Sequence, residues 1–172
     1  MHLKRPGKGY KIYPYLLKEL SIDRPNHVFC TDITYIPIAK GFVYLVAIMD
    51  WHSRKIMSCR LSNTMATNLC IDALEEAIKR YGTHDICNTD QGAQFTSDAF
   101  TDVFRLANIK ISMDDKGYWF DNIMIERFWL SLKQEDVYLK AYDSVNETHV
   151  NINKYIDFYN AERKAPDFRE NA

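Results

Sequence analysis

The sequence predicts an α/β protein with a mixed five-stranded sheet, a three-strand antiparallel meander plus two parallel strands, flanked by helices. Three observations carry this. The run Phe42-Val43-Tyr44-Leu45-Val46-Ala47-Ile48-Met49 is unbroken and apolar, as in a central strand covered on both faces. After Thr67 the apolar period lengthens, so that Cys70, Ala73, Leu74, Ala77, Ile78 and Tyr81 share one helical face. From there short apolar runs alternate with helical ones, giving the order β-β-β-α-β-α-β-α-α.

Taken in order, residues 1–26 are polar, carry Pro6, Pro14 and Pro25, and read as a basic, extended lead-in. One core spans residues 27–163, and residues 164–172 form a short aberrant tail. The first strand covers 27–36 and is ended by Pro37. Lys40-Gly41 turns the chain into the apolar run. Asp50-Trp51-His52-Ser53-Arg54 is a tight connection in which Asp50 is structural, and residues 55–61 return as the third strand. Thr67 caps the first helix and Gly82 stops it. Residues 84–89 form a strand that delivers Asp90. Ser97 starts a second helix with Phe100, Val103, Phe104 and Ala107 at helical spacing, and residues 109–112 are the fifth strand. A loop over 113–119 precedes a helix capped by Asp121 or Asn122 that runs to about Leu139. Ser144-Val145-Asn146-Glu147 is a capping box opening the last helix, with Ile152, Tyr155, Ile156 and Tyr159 inward.

At 172 residues, 47% hydrophobic and 26% charged, the chain suits one ordinary globular domain. No apolar window is long enough to span a membrane, and the first residues lack the apolar core of a secretion signal. The expectation is a cytoplasmic protein with no membrane partner. Cys30, Cys59, Cys70 and Cys87 form no CxxC pair and sit in apolar runs, as buried free thiols do. The five histidines show no ligand spacing, which argues against zinc. The net charge of −1 does not advertise a nucleic-acid binder. The lead-in differs: Lys4, Arg5, Lys8, Lys11, Lys18 and Arg24 face only Glu19 and Asp23, with Tyr10, Tyr13 and Tyr15 interleaved. That pattern fits a phosphate-contacting arm or a solvated tail.

Three carboxylates stand out. Asp32 interrupts a strand that is otherwise apolar or hydroxylic, Asp90 ends the fourth strand, and Glu126 lies in a helix. Between the last two lie 126 − 90 − 1 = 35 residues. If the first and fourth strands are neighbours, Asp32 and Asp90 meet near the carboxyl end of the parallel part of the sheet, where ligands sit in such folds. Converging carboxylates repel by about 4 kcal/mol per pair at 4 Å and an effective dielectric of 20, so they need positive charge among them. No Lys or Arg lies within two residues of Asp32 or Asp90, and an all-oxygen site suits Mg²⁺, with Mn²⁺ as substitute. Two such ions would activate a water or a 3′-hydroxyl for phosphodiester displacement. Asn122, Glu126, Leu130 and Lys133 share one helical face, so that a carboxylate and a lysine can serve a metal and a DNA phosphate, or form an ordinary exposed ion pair. Each acid also has a plain structural reading: Asp90-Gln91-Gly92 as a turn, Asp32 bonded to backbone, Glu126 solvated, and Asp114 and Asp115 as loop acids.

The pattern resembles the catalytic core of retroviral-integrase-like (DDE) insertion-sequence transposases, the family encoded by two overlapping reading frames. The stretches that carry the resemblance are Arg24 to Val28, Thr31-Asp32-Ile33-Thr34-Tyr35-Ile36, Tyr44-Leu45 to Asp50, Ser53-Arg54, Asp90-Gln91-Gly92, Gln94-Phe95-Thr96-Ser97, Lys116-Gly117, Asp121-Asn122, Glu126, Phe128, Leu132-Lys133 and Tyr159-Asn160. The resemblance implies a ribonuclease-H-like fold. It implies Asp32, Asp90 and Glu126 as catalytic ligands of two Mg²⁺ once DNA is bound, with DNA contacts from Lys133, Asn122 and Lys116. The implied reactions are cleavage at the 3′ end of the element and strand transfer to a target. The partners are DNA, both element ends and target, and further copies of the chain on it. The family's upstream helix-turn-helix region and its closing basic stretch have no counterpart here. The alternative is therefore a catalytically silent transposase fragment that only binds DNA or associates with full-length transposase. A structure-selective nuclease on the same fold is the second enzymatic reading.

Overall fold

In the computed structural model, residues 12–64, 67–114 and 123–162 are described. Five strands, β1 (Val28–Ile38), β2 (Gly41–Asp50), β3 (Ile56–Ser62), β4 (Ile86–Thr89) and β5 (Lys110–Met113), form one sheet in the order β3-β2-β1-β4-β5. The β1–β2 and β2–β3 pairs are antiparallel, and the β1–β4 and β4–β5 pairs are parallel. This is the meander-plus-two-parallel-strands sheet that the sequence pattern predicts. The helices are α1 (Thr67–Tyr81), the short α2 (Ala93–Thr96), α3 (Asp98–Leu106), α4 (Ile123–Leu132), α5 (Tyr138–Lys140) and α6 (Val145–Glu162). A π-helical turn, Lys133–Val137, joins α4 to α5 without a break.

The apolar run of β2 is explained by burial on both sides. Val46 and Ile48 pack with α1 and α3 residues such as Ala73, Leu74 and Phe104. Leu45, Ala47 and Met49 pack with α4 and α6 residues such as Phe128, Trp129 and Ile152. The same alternation sends Phe29 of β1 to the first layer and Cys30 to the second. Side chains at even positions of β1 around Cys30, Asp32 among them, thus belong to the α4 face.

Several boundaries differ from the sequence reading, for physical reasons. Pro37 lies inside β1, paired with Phe42. It is tolerated because β4 pairs β1 only from Val28 to Cys30, so no rung on that side is lost. The turn is Ala39-Lys40, and Gly41 opens β2 at φ +136°, where a side chain would be strained. β4 starts only at Ile86, because the N–H groups of both Asp85 and Ile86 donate to the carbonyl of His27. Met113 is the last residue of β5 and not loop. α2, a single turn ahead of α3, is below the length that periodicity detects. The caps of α3 and α6 are as expected. Ser97 accepts the N–H of Phe100 at 3.4 Å, and Ser144 accepts that of Glu147 at 3.1 Å while Glu147 reaches back to the N–H of Asp143. The expected caps at Asp121 and Asn122 and the tail fall outside the described residues.

Residues 13–16 of the lead-in run against the outer edge of β5, and residues 17–22 go on to pack near Val28, Ile86 and Trp51. Leu16 N–H donates to Ser112 Oγ at 2.9 Å and Met113 N–H to the Pro14 carbonyl at 3.4 Å, while Leu17 is buried with Val28 and Ile86. The contacts cover a strand edge that would otherwise be open to other chains. No helix among the described residues is long and apolar enough to cross a membrane. Cys30, Cys70 and Cys87 are buried free thiols, and Cys59 is a half-buried one.

His84 lies buried at the end of α1's connection to β4, stacked on Phe29 with ring centroids 3.8 Å apart. Neither ring nitrogen has a hydrogen-bond partner among the described residues. Burial lowers its pKa to about 3, countered weakly by Asp85. The folded protein therefore refuses a proton that the unfolded chain accepts near pH 6.5, and stability falls as pH drops from there toward 3. His84→Leu should flatten this acid limb, raising stability at pH 5 by about 1–2 kcal/mol relative to its effect at pH 8, as read by urea unfolding at the two pH values.

Candidate active site

The site is assembled where β1 and β4 part. The parallel register pairs Cys30 with Asn88. Carried two residues further, the same offset sets Asp32 beside Asp90 (88 − 30 = 90 − 32), just beyond the last rung. Asp90 is the first residue after β4, and its Oδ1 accepts the N–H of Gly92 at 2.6 Å. A Cβ at position 92 would lie 2.8 Å from that oxygen, so a side chain there would push the Asp90 carboxylate out of this position. The turn reading of Asp90-Gln91-Gly92 and the delivery of a carboxylate to the sheet end are thus one and the same feature.

Asp32 stays within β1, opposite Ala47. Its Oδ2 accepts the indole N–H of Trp129 at 3.1 Å. Burial raises its pKa to about 6; the Ile33 N–H and the indole N–H act against this, while the charges of Asp90 and Glu126 add to it. Burial likewise raises Asp90, and the Gly92 N–H partly offsets that. The effects of Asp90 and Glu126 on Asp32 put all three acids in one electrostatic neighbourhood. Glu126 stands exposed in the first turn of α4. Among the described residues no three acidic, histidine or cysteine side chains converge closely enough to hold an ion as they stand. The structure thus brings Asp32 and Asp90 together directly, and sets Glu126 beside them without closing a three-ligand cluster.

Lys133 opens the π-helical turn, and its Nζ donates to Thr34 Oγ1 at 2.8 Å. Burial lowers its pKa and the negative charge of Asp32 opposes that. Leu130, placed on the same helical face by the sequence pattern, is exposed. Lys116 and Asn122 lie outside the described residues. Trp129 and Thr34 were not singled out by sequence reasoning, although two signals point to them. Thr34 is two residues from Asp32, hence on the same strand face, and Trp129 and Lys133 are four apart on one helix. α4 therefore bonds twice to successive residues of one strand face. Asp114, read as a loop acid, has a bracing role: its Oδ1 accepts from Asn88 Nδ2 at 2.6 Å and its N–H donates to the Thr89 carbonyl. Asp50 is structural as expected, accepting the N–H groups of Asn26 and Ser53.

Such a sheet, with acidic side chains where its parallel strands diverge, defines a ribonuclease-H-like core. Comparisons with known proteins agree. The model of the family "Integrase core domain" matches residues 22–118, and a second model of the same description matches 126–170. The transposase of insertion sequence element IS904 from Lactococcus lactis is 33% identical over 95% of this chain and 70% of its own length. A putative transposase of IS150 from Escherichia coli is 29% identical over 86% of this chain, and one of IS986/IS6110 from Mycobacterium tuberculosis 31% over 81%; the chain spans 53% of each. Among solved structures, the HTLV-2 integrase catalytic core domain in complex with magnesium, dimeric form, has a TM-score of 0.65 at 22% identity, covering 81% of this chain and 89% of that one. The chain belongs to the integrase core domain family, as a core of the DDE-type polynucleotidyl transferases that insertion-sequence transposases represent.

The pKa of Asp32 has a consequence for stability. Because the folded value lies above the ordinary aspartate value of 3.8, the native state holds a proton that the unfolded chain releases. The stability linked to that proton is complete below pH 3.8 and is lost as pH rises through about 6. At pH 7 in EDTA, Asp32→Asn should therefore raise the unfolding free energy by about 2 kcal/mol, and at pH 4 it should not, as measured by the urea midpoint.

Proposed function

We propose that this chain carries out divalent-metal-dependent phosphodiester cleavage and strand transfer on DNA, with Asp32, Asp90 and Glu126 as the metal ligands. One observation carries the reading: the β1–β4 register seats two desolvated carboxylates side by side, with Glu126 close enough to raise the Asp32 pKa. Burying ionised carboxylates together is unfavourable unless a cation joins them. The donor set is all oxygen, which fits Mg²⁺ or Mn²⁺ and disfavours zinc. The magnesium named for the HTLV-2 core supports the same choice of ion. When bound, a pair of such ions supplies a polarised phosphate and an activated attacking oxygen.

The chain's own residues do the positioning. The Trp129 indole N–H holds Asp32 Oδ2 and so orients the carboxylate. The Gly92 N–H holds Asp90 Oδ1 in the same way. Glu126, exposed at the start of α4, would join the two aspartates as a ligand. Lys133 is held by Thr34 within reach of a phosphate beside the carboxylates, and exchanges that neutral partner for the anion. Lys116 and Asn122 supply further DNA contacts. The chain works as a homo-oligomer on the DNA, as the dimeric HTLV-2 core and the simian T-cell lymphotropic virus intasome, 19% identical, suggest by analogy.

The test is a strand-transfer assay with DNA carrying the element's ends and Mn²⁺ or Mg²⁺. Joined products are expected from the wild type. Asp32→Asn and Asp90→Asn should each lower the rate by about 10³-fold or more, since several kcal/mol of charge stabilisation is lost. Nicked products alone would make the chain a nuclease, and a gel shift without cleavage would make it a DNA-binding fragment. Independently of activity, Mg²⁺ should raise the melting temperature of the wild type but not of Asp32→Asn. That gain should shrink below pH 6, as protons displace the ion from Asp32.

A further inference from the structure

A cavity of about 510 Å³ lies between the lead-in, the β2–β3 turn and the start of α4. Leu20 and Ile22 form one wall, Trp51 and Met124 another, and Arg54 and Asp23 supply the charge. Met124 lies in the first turn of α4, the helix that also carries Glu126.

The turn that presents Arg54 is firmly built. The Asp50 side chain accepts the N–H groups of Asn26 and Ser53, its carbonyl accepts the Arg54 N–H at 2.8 Å, and Trp51 N–H donates to the Val28 carbonyl at 2.9 Å. Arg54 itself takes φ +64°, an uncommon conformation for a residue with a side chain. Its guanidinium is half-buried, Nη1 is enclosed with no hydrogen-bond partner, and no ion pair involves it among the described residues. Burial disfavours the cation there, and Arg127 adds to this, while Cys30, Tyr159 and Asp50 act the other way without pairing with it. A half-buried guanidinium with one enclosed and unpartnered nitrogen has room for an anion from outside the chain. Asp23 does not serve, since its carboxylate is exposed and directed to His27 at 3.8 Å.

An anion-binding group set against an indole and aliphatic walls matches one ligand class. We propose that this cavity takes a single unpaired nucleotide of the bound DNA, with its phosphate on Arg54 and its base against Trp51, Leu20 and Met124. The volume lies in the range of small-ligand sites, and base-on-aromatic contact tolerates any base. The inference rests on the DNA-processing reading of the carboxylates.

The experiment is done in EDTA, so that chemistry and metal are absent. Affinities are measured by fluorescence anisotropy for a blunt DNA duplex and for the same duplex with one unpaired terminal nucleotide. The wild type should prefer the second by about tenfold. Trp51→Leu and Arg54→Gln should abolish that preference while leaving blunt-duplex binding nearly unchanged, and Arg54→Lys should restore part of it. No preference in the wild type, or variants that weaken both DNAs equally, would overturn the proposal. Should the blunt duplex fail to bind, the DNA-processing reading is what has failed. The cavity is then read by titrating the dinucleotide pTpT against tryptophan fluorescence. Saturable quenching that disappears in Trp51→Leu supports the site, and its absence in the wild type sinks it.

Discussion

The parallel pairing of β1 with β4 is the constraint on which the rest depends. It holds for only three residue pairs, Val28 to Cys30 against Ile86 to Asn88. Those rungs are fixed by what lies above and below them: Phe29 must reach the α1–α3 layer and Cys30 the α4–α6 layer. A slip of one residue would send each to the wrong face. With the register so fixed, the first two acids beyond it stand side by side. The two-sided core of an α/β sheet thereby becomes a device for forcing like charges together.

That crowding is held in check by neutral donors and not by a counter-ion. An indole N–H holds Asp32 and a backbone N–H holds Asp90, while Lys133 is tied to the hydroxyl of Thr34, two residues along the strand from Asp32. The arrangement leaves the carboxylates oriented yet short of positive charge, with Asp32 raised to about 6. Full neutralisation by an internal lysine would make a more stable protein and a poorer cation site. The π-helical turn contributes to this geometry. It begins at Lys133, which reaches Thr34 of β1, and within it Asp136 is directed to the Tyr142 hydroxyl and Lys140.

The same logic separates the edges of the molecule. β5 is covered by the lead-in, whose Leu17 is anchored under β1 and β4. At the other side of the sheet, the Asn160 side chain both accepts from the Ile56 N–H and donates to its carbonyl, standing in for a strand at the start of β3. Side chains and irregular backbone thus finish the sheet where no further strand is available.

Local and periodic features of this chain could be read from residue order alone. β2 is legible because burial on both faces leaves no charged position between Val43 and Met49, α3 and α6 because caps and apolar spacing agree, and α1 because its apolar spacing ends at Gly82. Asp32 stands out as a charge where the strand should be apolar, and Asp90 as an acid at the end of a short apolar run. Tertiary structure decided what no window of sequence contains. Pro37 survives within β1 because β4 has already turned away. Trp129 finds Asp32 from 97 residues away. Glu126 is set near the two aspartates without closing on them. The physical reason is that hydrophobic periodicity and capping act within a few residues, whereas the energy of a buried carboxylate depends on neighbours that only the packed sheet and helices bring into range.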